Sequence, residues 1–375
     1  MIRTFHPIGQ GAFYTEKFDD GFTVVYDCGG SNKTIIENEI KNTFKKDEKI
    51  DIVFISHFHD DHINGLKFLI GHCDIQKLVL PLLTDDIKFQ LTIERYARHQ
   101  NSKFYDAIIN NPSKVFDEEK LVFVDSDENP NNTIEVENLK GTIQSGTKIQ
   151  YNKYNWVYVP YNLNYDKYAK QIQAELKTKN ITTSNELLES LSMDKKEIID
   201  IYKKVLGGAK NFNINSLVVY SGSSEQTDKI GLVMQLFNII ELEKLGILYM
   251  GDFNVKEDSN MKKIKDKFSL YWDDIGIVQI PHHGSKHNHH HELSWKNSVS
   301  LISSGCRYGH PNQDVLTNIE ETNSHICLVS SIKNSEAKQY ILDENFIKKC
   351  LITNLSSKSQ VIESILKKCC PEYLI

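Results

Sequence analysis

No run of eighteen apolar residues occurs in the 375-residue chain, so nothing in it reads as a membrane span. The opening MIRTFHPIGQG has no apolar stretch of the kind a secretory signal requires. The seven cysteines are odd in number and include no C-x-x-C pair, which argues against a zinc ribbon or a disulfide framework. Adjacent Cys369 and Cys370 have the composition of a redox or metal pair, but buried or idle thiols are the simpler expectation. A reducing, cytoplasmic setting with no membrane partner follows. Basic surplus is also missing: the net charge is −6, which counts weakly against tight binding of long nucleic acid and leaves a local groove open. The clearest basic run, MKKIKDK at Met261–Lys267, has the spacing of a solvated helix face. There is no G-x-S-x-G, so no serine-nucleophile elbow is expected.

What is present suits a normal core, with 40% apolar and 25% charged residues. AFYTEKF and GFTVVYDCGG flank a DDG turn and read as a hairpin. IDIVFISH and KLVLPL read as short buried strands, with a helical segment, INGLKFLIGH, between them. From about 84 to 209 the character changes, and YDKYAKQIQAELKTK and SNELLESLSMDKKEIIDIYKKVLGG predict two helices whose apolar stripes serve packing. Strands return at NSLVVYSG, LGILYMGD, IGIVQIPHHG, VSLISSG and ICLVSS; helices are expected between LGILYMGD and VSLISSG, and a terminal helix at SQVIESILKK. Strands, then helices, then alternation predict a layered α/β domain with two sheets. The expected division is a domain over 1–330 with a helical insertion at about 166–209, and a C-terminal extension, 331–375, packed on it.

The sharpest local feature is SHFHDDH, Ser56–His62. If the preceding strand continues, His57 and His59 lie two apart and share a face. Asp61 and His62 follow where the strand gives way. Two imidazoles, then a carboxylate with an imidazole, make two half-sites for zinc, manganese or iron.

This H-x-H-x-D-H run after an apolar strand resembles the signature of the metallo-β-lactamase superfamily. VVYDCGG and LYMGD are similar to two further motifs of that family. GQG, NSLVV, GD, IPHHGSKH and YGHPNQDVL follow in the order seen in the hydrolase domain of the ComEC competence family, across Gly9 to about Leu316. The resemblance implies a four-layer αββα sandwich holding two divalent metal ions, zinc or manganese. It implies His57, His59, Asp61, His62 and Asp252 as ligands, Asp252 bridging, and Asp27 supporting the ligand loop from outside. It places a ligand for the second metal at His282 or His283, a choice the sequence leaves open. The family's usual intervening ligand histidine is missing. His72 and His99 lie too close behind the first cluster, and none occurs from Gln100 to Pro281. Asn215 and Ser216 occupy the corresponding stretch, so an oxygen ligand or water is expected there, which makes manganese plausible.

Asp61 is expected to bind metal and orient a metal-bound hydroxide, with His283 or His310 supplying a proton. His310 belongs by resemblance to the site rim, and Ser285, Lys286 and Tyr308 are candidates for holding phosphate oxygens. His287, His289, His290 and His291 read as an exposed polar stretch entering a helix. The implied activity is hydrolysis of phosphodiesters, nuclease-like on single-stranded DNA or RNA. Two alternatives stand beside it: a hydrolase of small phosphodiesters such as nucleotide signals or phosphocholine-type esters, and an effector module regulated by a protein partner.

Overall fold

A computed structural model describes residues 1–97, 102–163, 167–193, 195–206, 216–225, 229–235, 238–305, 309–331 and 335–343. Among these, a ten-stranded sheet runs edge to edge through Gly141–Ser145, Leu121–Glu128, Leu78–Pro81, Ile52–Phe54, Thr23–Gly29, Ala12–Lys17, Ile2–Phe5, Ala337–Asp343, Lys229–Gln235 and Asn238–Leu242. An eight-stranded sheet runs through His325–Val329, Val299–Ser303, Ile275–Gln279, Gly246–Tyr249, Ser216–Ser223, Trp156–Leu163, Lys148–Tyr151 and Thr133–Glu135.

The first hairpin forms as its sequence asks. Ala12–Lys17 pairs antiparallel with Thr23–Gly29, and the Asp20 carboxylate accepts the Phe22 N–H at 3.2 Å in the turn. Thr23–Gly29 is buried along its whole length, because Ile52–Phe54 pairs parallel on its other edge and both faces are covered. Helix Lys33–Thr43 is capped by the Asn32 side chain, which accepts the Thr34 N–H, and buries Ile36 and Ile40, one turn apart.

Residues of both sheets, including Tyr26, Phe54, Tyr158, Val219 and Leu301, fill one core between them. A second core lies where helices Lys33–Thr43 and Leu66–His72 cover the outer face of the first sheet. A third lies where Asp258–Lys267 and Gln313–Glu321 cover the second sheet. The fold is therefore mixed α/β in four layers, helix, sheet, sheet, helix, consistent with the expected αββα sandwich. A fourth cluster joins helices Asp85–Ala97, Lys167–Lys177, Ser184–Met193 and Lys195–Leu206.

Several details differ from expectation. The strand before SHFHDDH stops at Phe54, so His57 and His59 stand on a loop. Ser184–Met193 and Lys195–Leu206 together cover the second helix expected in the 166–209 region. No α-helix follows IGIVQIPHHG; the chain makes only short 3-10 turns at Pro281–Gly284 and His291–Leu293. His287 and His291 are exposed as expected, but His289 and His290 are buried, because this loop tucks against the segment after Asp252, where His290 Nε2 lies 2.9 Å from Asp258 Oδ1. The described part of the expected C-terminal extension, Ala337–Asp343, is an inner strand of the first sheet, between Ile2–Phe5 and Lys229–Gln235. The expected terminal helix, Cys306, Cys350, Cys369 and Cys370 lie outside the described residues; Cys28, Cys73 and Cys327 are buried free thiols. Among the described residues no helix is long and apolar enough to cross a membrane.

Candidate metal centre

Loops at one end of the two sheets bring the site together. The Ser56–Asp61 segment leaves strand Ile52–Phe54, Asp252 follows Gly246–Tyr249, and His282 and His283 follow Ile275–Gln279. Strand ends opening into a crevice are where α/β sheets place ligands. Asp27, His282 and His283 hold left-handed backbone, with φ of 57°, 49° and 57°. For residues with a Cβ that conformation costs about 1–2 kcal/mol each, an observed strain of the kind that clusters at functional sites. Glycine permits the close packing behind the loop. A Cβ on Gly29 would stand 2.5 Å from the backbone nitrogen of His62, and one on Gly11 would stand 2.5 Å from the Asp61 carbonyl oxygen.

Asp27 organises the loop from below. Its carboxylate accepts the Ser56 N–H at 2.6 Å and the Ser56 hydroxyl at 2.6 Å, and meets His62 Nδ1 at 2.7 Å. That leaves His62 Nε2 to face Asp252 Oδ1 at 3.1 Å. Asp252 Oδ2 lies 3.5 Å from His57 Nε2, and His57 Nε2 lies 3.1 Å from His59 Nδ1. On the far side His283 donates from Nδ1 to the Ser303 carbonyl at 2.8 Å and turns Nε2 to Asp61 Oδ2 at 3.1 Å.

Two groups of donor atoms result, His57 with His59 and Asp252, and Asp61 with His62 and His283, each converging within 4.8 Å. Two nitrogens on one tetrahedral zinc at about 2.0–2.1 Å stand about 3.3 Å apart. The separations of 3.1 to 3.5 Å within the two groups therefore match the edges of a coordination shell. His62 Nε2 is buried and faces the Asp252 carboxylate, though without the alignment of a regular hydrogen bond. The donor set, imidazole and carboxylate, fits a divalent cation at either group.

The electrostatics agree. Burial, and then His62, push the His57 pKa down to about 4, so its imidazole is neutral and its lone pair available. Burial works against charge on His62, but Asp252 and Asp27 outweigh it and hold that pKa well above the usual histidine value. Burial also disfavours charge on Asp61, yet His283 and His62 keep its carboxyl ionised well below the ordinary range.

Other expected residues fall around this centre in different ways. His283, not His282, joins the Asp61 group. His282 Nε2 is 3.9 Å from Asp252 Oδ2, with its Nδ1 held by Asn288 Oδ1 at 2.8 Å. The half-buried His310 faces the His282 ring at 5.4 Å between centroids, and burial, then His282, push its pKa down to about 4. Ser216 is buried and its hydroxyl accepts the Asp252 N–H at 3.2 Å. The Ser285 hydroxyl accepts the His287 N–H at 3.3 Å, and Lys286 pairs with Asp314 at 3.6 Å, so both have protein partners. His72 is engaged with the Phe44 carbonyl at 3.0 Å. Asn215, Tyr308 and His99 lie outside the described residues.

Sequence reading missed the supports. Gln279, an isolated amide in the apolar strand IGIVQ, accepts the N–H groups of Met250 and Gly251 at 2.7 Å each and fixes the turn that presents Asp252. Asn288 donates to the Asp252 carbonyl at 3.0 Å while holding His282. A buried amide in a strand was the available signal for Gln279; nothing in the sequence marked Asn288.

Residues 13–136 match the family model of the Metallo-beta-lactamase superfamily. No curated protein matches the chain. A long form RNase Z from yeast is similar in structure at a TM-score of 0.35 and 12% identity, over 81% of this chain and 37% of that one. The chain thus spans little more than a third of that protein's length.

Proposed function

We propose, with the superfamily match over 13–136 as premise, that the chain is a hydrolase dependent on divalent cations and that its substrates are phosphodiesters. The observation that carries this reading is the division of Asp252, with Oδ1 toward His62 and Oδ2 toward His57. One carboxylate shared by two donor groups is the arrangement of a paired-cation site. In this reading His57, His59 and Asp252 hold one cation, and Asp61, His62, His283 and Asp252 hold the other, as zinc or manganese. A pair of such ions supplies Lewis acidity and an acidified water suited to in-line displacement at phosphorus.

The chain's own residues do the rest. Asp61 and His283 fix each other across the second group, and Asp27 and Ser303 hold the outward nitrogens of His62 and His283. His282 and His310 face each other, with His282 beside Asp252; burial lowers the pKa of both, so each would offer a hydrogen bond rather than a charge to a leaving oxygen.

The ComEC-like order of motifs favours a nuclease acting on single strands. The net charge of −6 favours the second reading, cleavage of small phosphodiesters. Purified protein loaded with zinc or manganese is to be assayed on single-stranded DNA, duplex DNA, RNA, cyclic nucleotides and a chromogenic phosphodiester, beside Asp61→Ala. A nuclease should lose activity steeply between low and moderate salt, since phosphate contacts release counterions. Small-ester cleavage should change little. No bound metal and no cleavage would refute the catalytic reading.

Asp27→Asn is expected to weaken metal binding by about 10–100-fold, the usual effect of losing an outer partner of a ligand imidazole. Competition against a chromogenic chelator measures it, and an unchanged affinity would show that Asp27 has no bearing on the ligand geometry.

A further inference from the structure

Helix Asp85–Ala97 reaches the ligand loop with two adjacent side chains. Glu94 is buried, and its Oε1 lies 3.1 Å from His59 Nε2. The other ring nitrogen, Nδ1, is the one that meets His57 Nε2. Arg95 donates to the Phe58 carbonyl at 3.0 Å and to Asp60 Oδ1 at 2.7 Å. The residues before and after His59, and His59 itself, are thus all held from one helix. The guanidinium also stacks over Tyr105 at 3.7 Å from the ring centroid, which fixes the arginine.

We propose that Glu94 and Arg95 are positioning residues for the first cation group. Glu94 Oε1 accepts a hydrogen bond from the Nε2–H of His59, which commits the ring to the tautomer whose Nδ1 lone pair would face the ion. A carboxylate on the far nitrogen also raises the basicity of the ligand. The need is greater here than usual, because among the described residues only two imidazoles serve this group. The helical cluster has a share in this. Phe89 and Ile93 pack with Ile172, Leu187, Ile198 and Tyr202, so the helices of 167–206 set where the Asp85–Ala97 helix lies and hence where its clamp reaches.

The inference rests on the cation reading above, and its test separates the two. Histidine-selective ¹⁵N labelling of metal-free protein, assigned with His59→Gln, reads the His59 tautomer, and chelator competition reads metal affinity. The wild type should show the Nε2–H form. Glu94→Leu should lose that preference and bind metal about 10–100-fold more weakly. Glu94→Gln keeps an acceptor oxygen and should restore both the tautomer and most of the affinity. An Nδ1–H form in the wild type overturns the proposal, even if Glu94→Leu fails to fold. So does a Glu94→Gln variant that loses the ion as fully as His59→Ala, because Glu94 would then be a ligand itself. A wild type that shows the Nε2–H form but binds no metal overturns the cation reading and leaves the hydrogen bond standing.

Discussion

Asp252→Ala is expected to abolish hydrolysis, lowering kcat/KM by at least about 10³-fold, roughly 4 kcal/mol of transition-state stabilisation. The size follows from the split of its carboxylate between two groups. Losing His57 or His283 removes a donor from one group, whereas losing Asp252 removes a donor from both. Metal content should therefore fall further in Asp252→Ala than in either His57→Ala or His283→Ala. The double variant Asp252→Ala/His57→Ala should be little worse than Asp252→Ala alone, since residues acting as a unit are not additive. Elemental analysis and steady-state kinetics on the four variants and the wild type decide it. Activity within tenfold of wild type would leave a structural or partner-binding role for the fold as the better account.

The second large effect concerns stability. Arg3 and Glu16 form a 2.7 Å ion pair deep between the sheets, both almost fully buried. Tyr158, Tyr249 and Ser221 donate hydroxyls to Glu16 at 2.9 Å each, and Arg3 reaches the Leu245 carbonyl at 3.2 Å and the Gln339 side chain. Arg3→Met keeps the apolar bulk but strands a buried carboxylate. Removing one partner of such a pair costs about 3–5 kcal/mol. Equilibrium urea unfolding followed by circular dichroism should show the midpoint shift with an unchanged slope. A loss below about 1 kcal/mol would mean that the hydroxyls alone satisfy Glu16. Burial opposes charge on Arg3, but Glu16 and the surrounding phenols outweigh it and raise its pKa, so the guanidinium stays charged in place.

The contrast between these residues explains what the sequence disclosed. His57, His59, Asp61 and His62 are local: their spacing alone marks a candidate metal site, and the structure brings them together with Asp252 and His283 from two distant loops. The hairpin and the short strands were legible because two-residue periodicity and turn residues act at short range. Glu94 was not legible. It is one glutamate in a helix, and only tertiary packing turns it toward His59. Arg3 and Glu16 were not legible either: nothing local marks them as the polar bridge they form between the sheets. His289 and His290 read as surface because histidine runs are usually wet; the short turn at His291–Leu293 lets them fold inward. That Ala337–Asp343, within the expected extension 331–375, enters the first sheet is not legible locally, because its partner Ile2–Phe5 lies more than three hundred positions away.

That last pairing sets an order on the birth of the molecule. Tyr340 sits beside Ile2, and Tyr340 is also the neighbour of Leu232. While the chain is being made, Ile2–Phe5 precedes Ala337–Asp343 and keeps one open edge until that strand appears. Such contacts carry a high loop-closure cost and form late, and an open edge invites pairing with the wrong chain. A stall or a cut before residue 337 would leave the first sheet split in two, with Ile2–Phe5 on one side and Lys229–Gln235 on the other. The seam of the first sheet is therefore a single seven-residue strand, made after the other strands among the described residues.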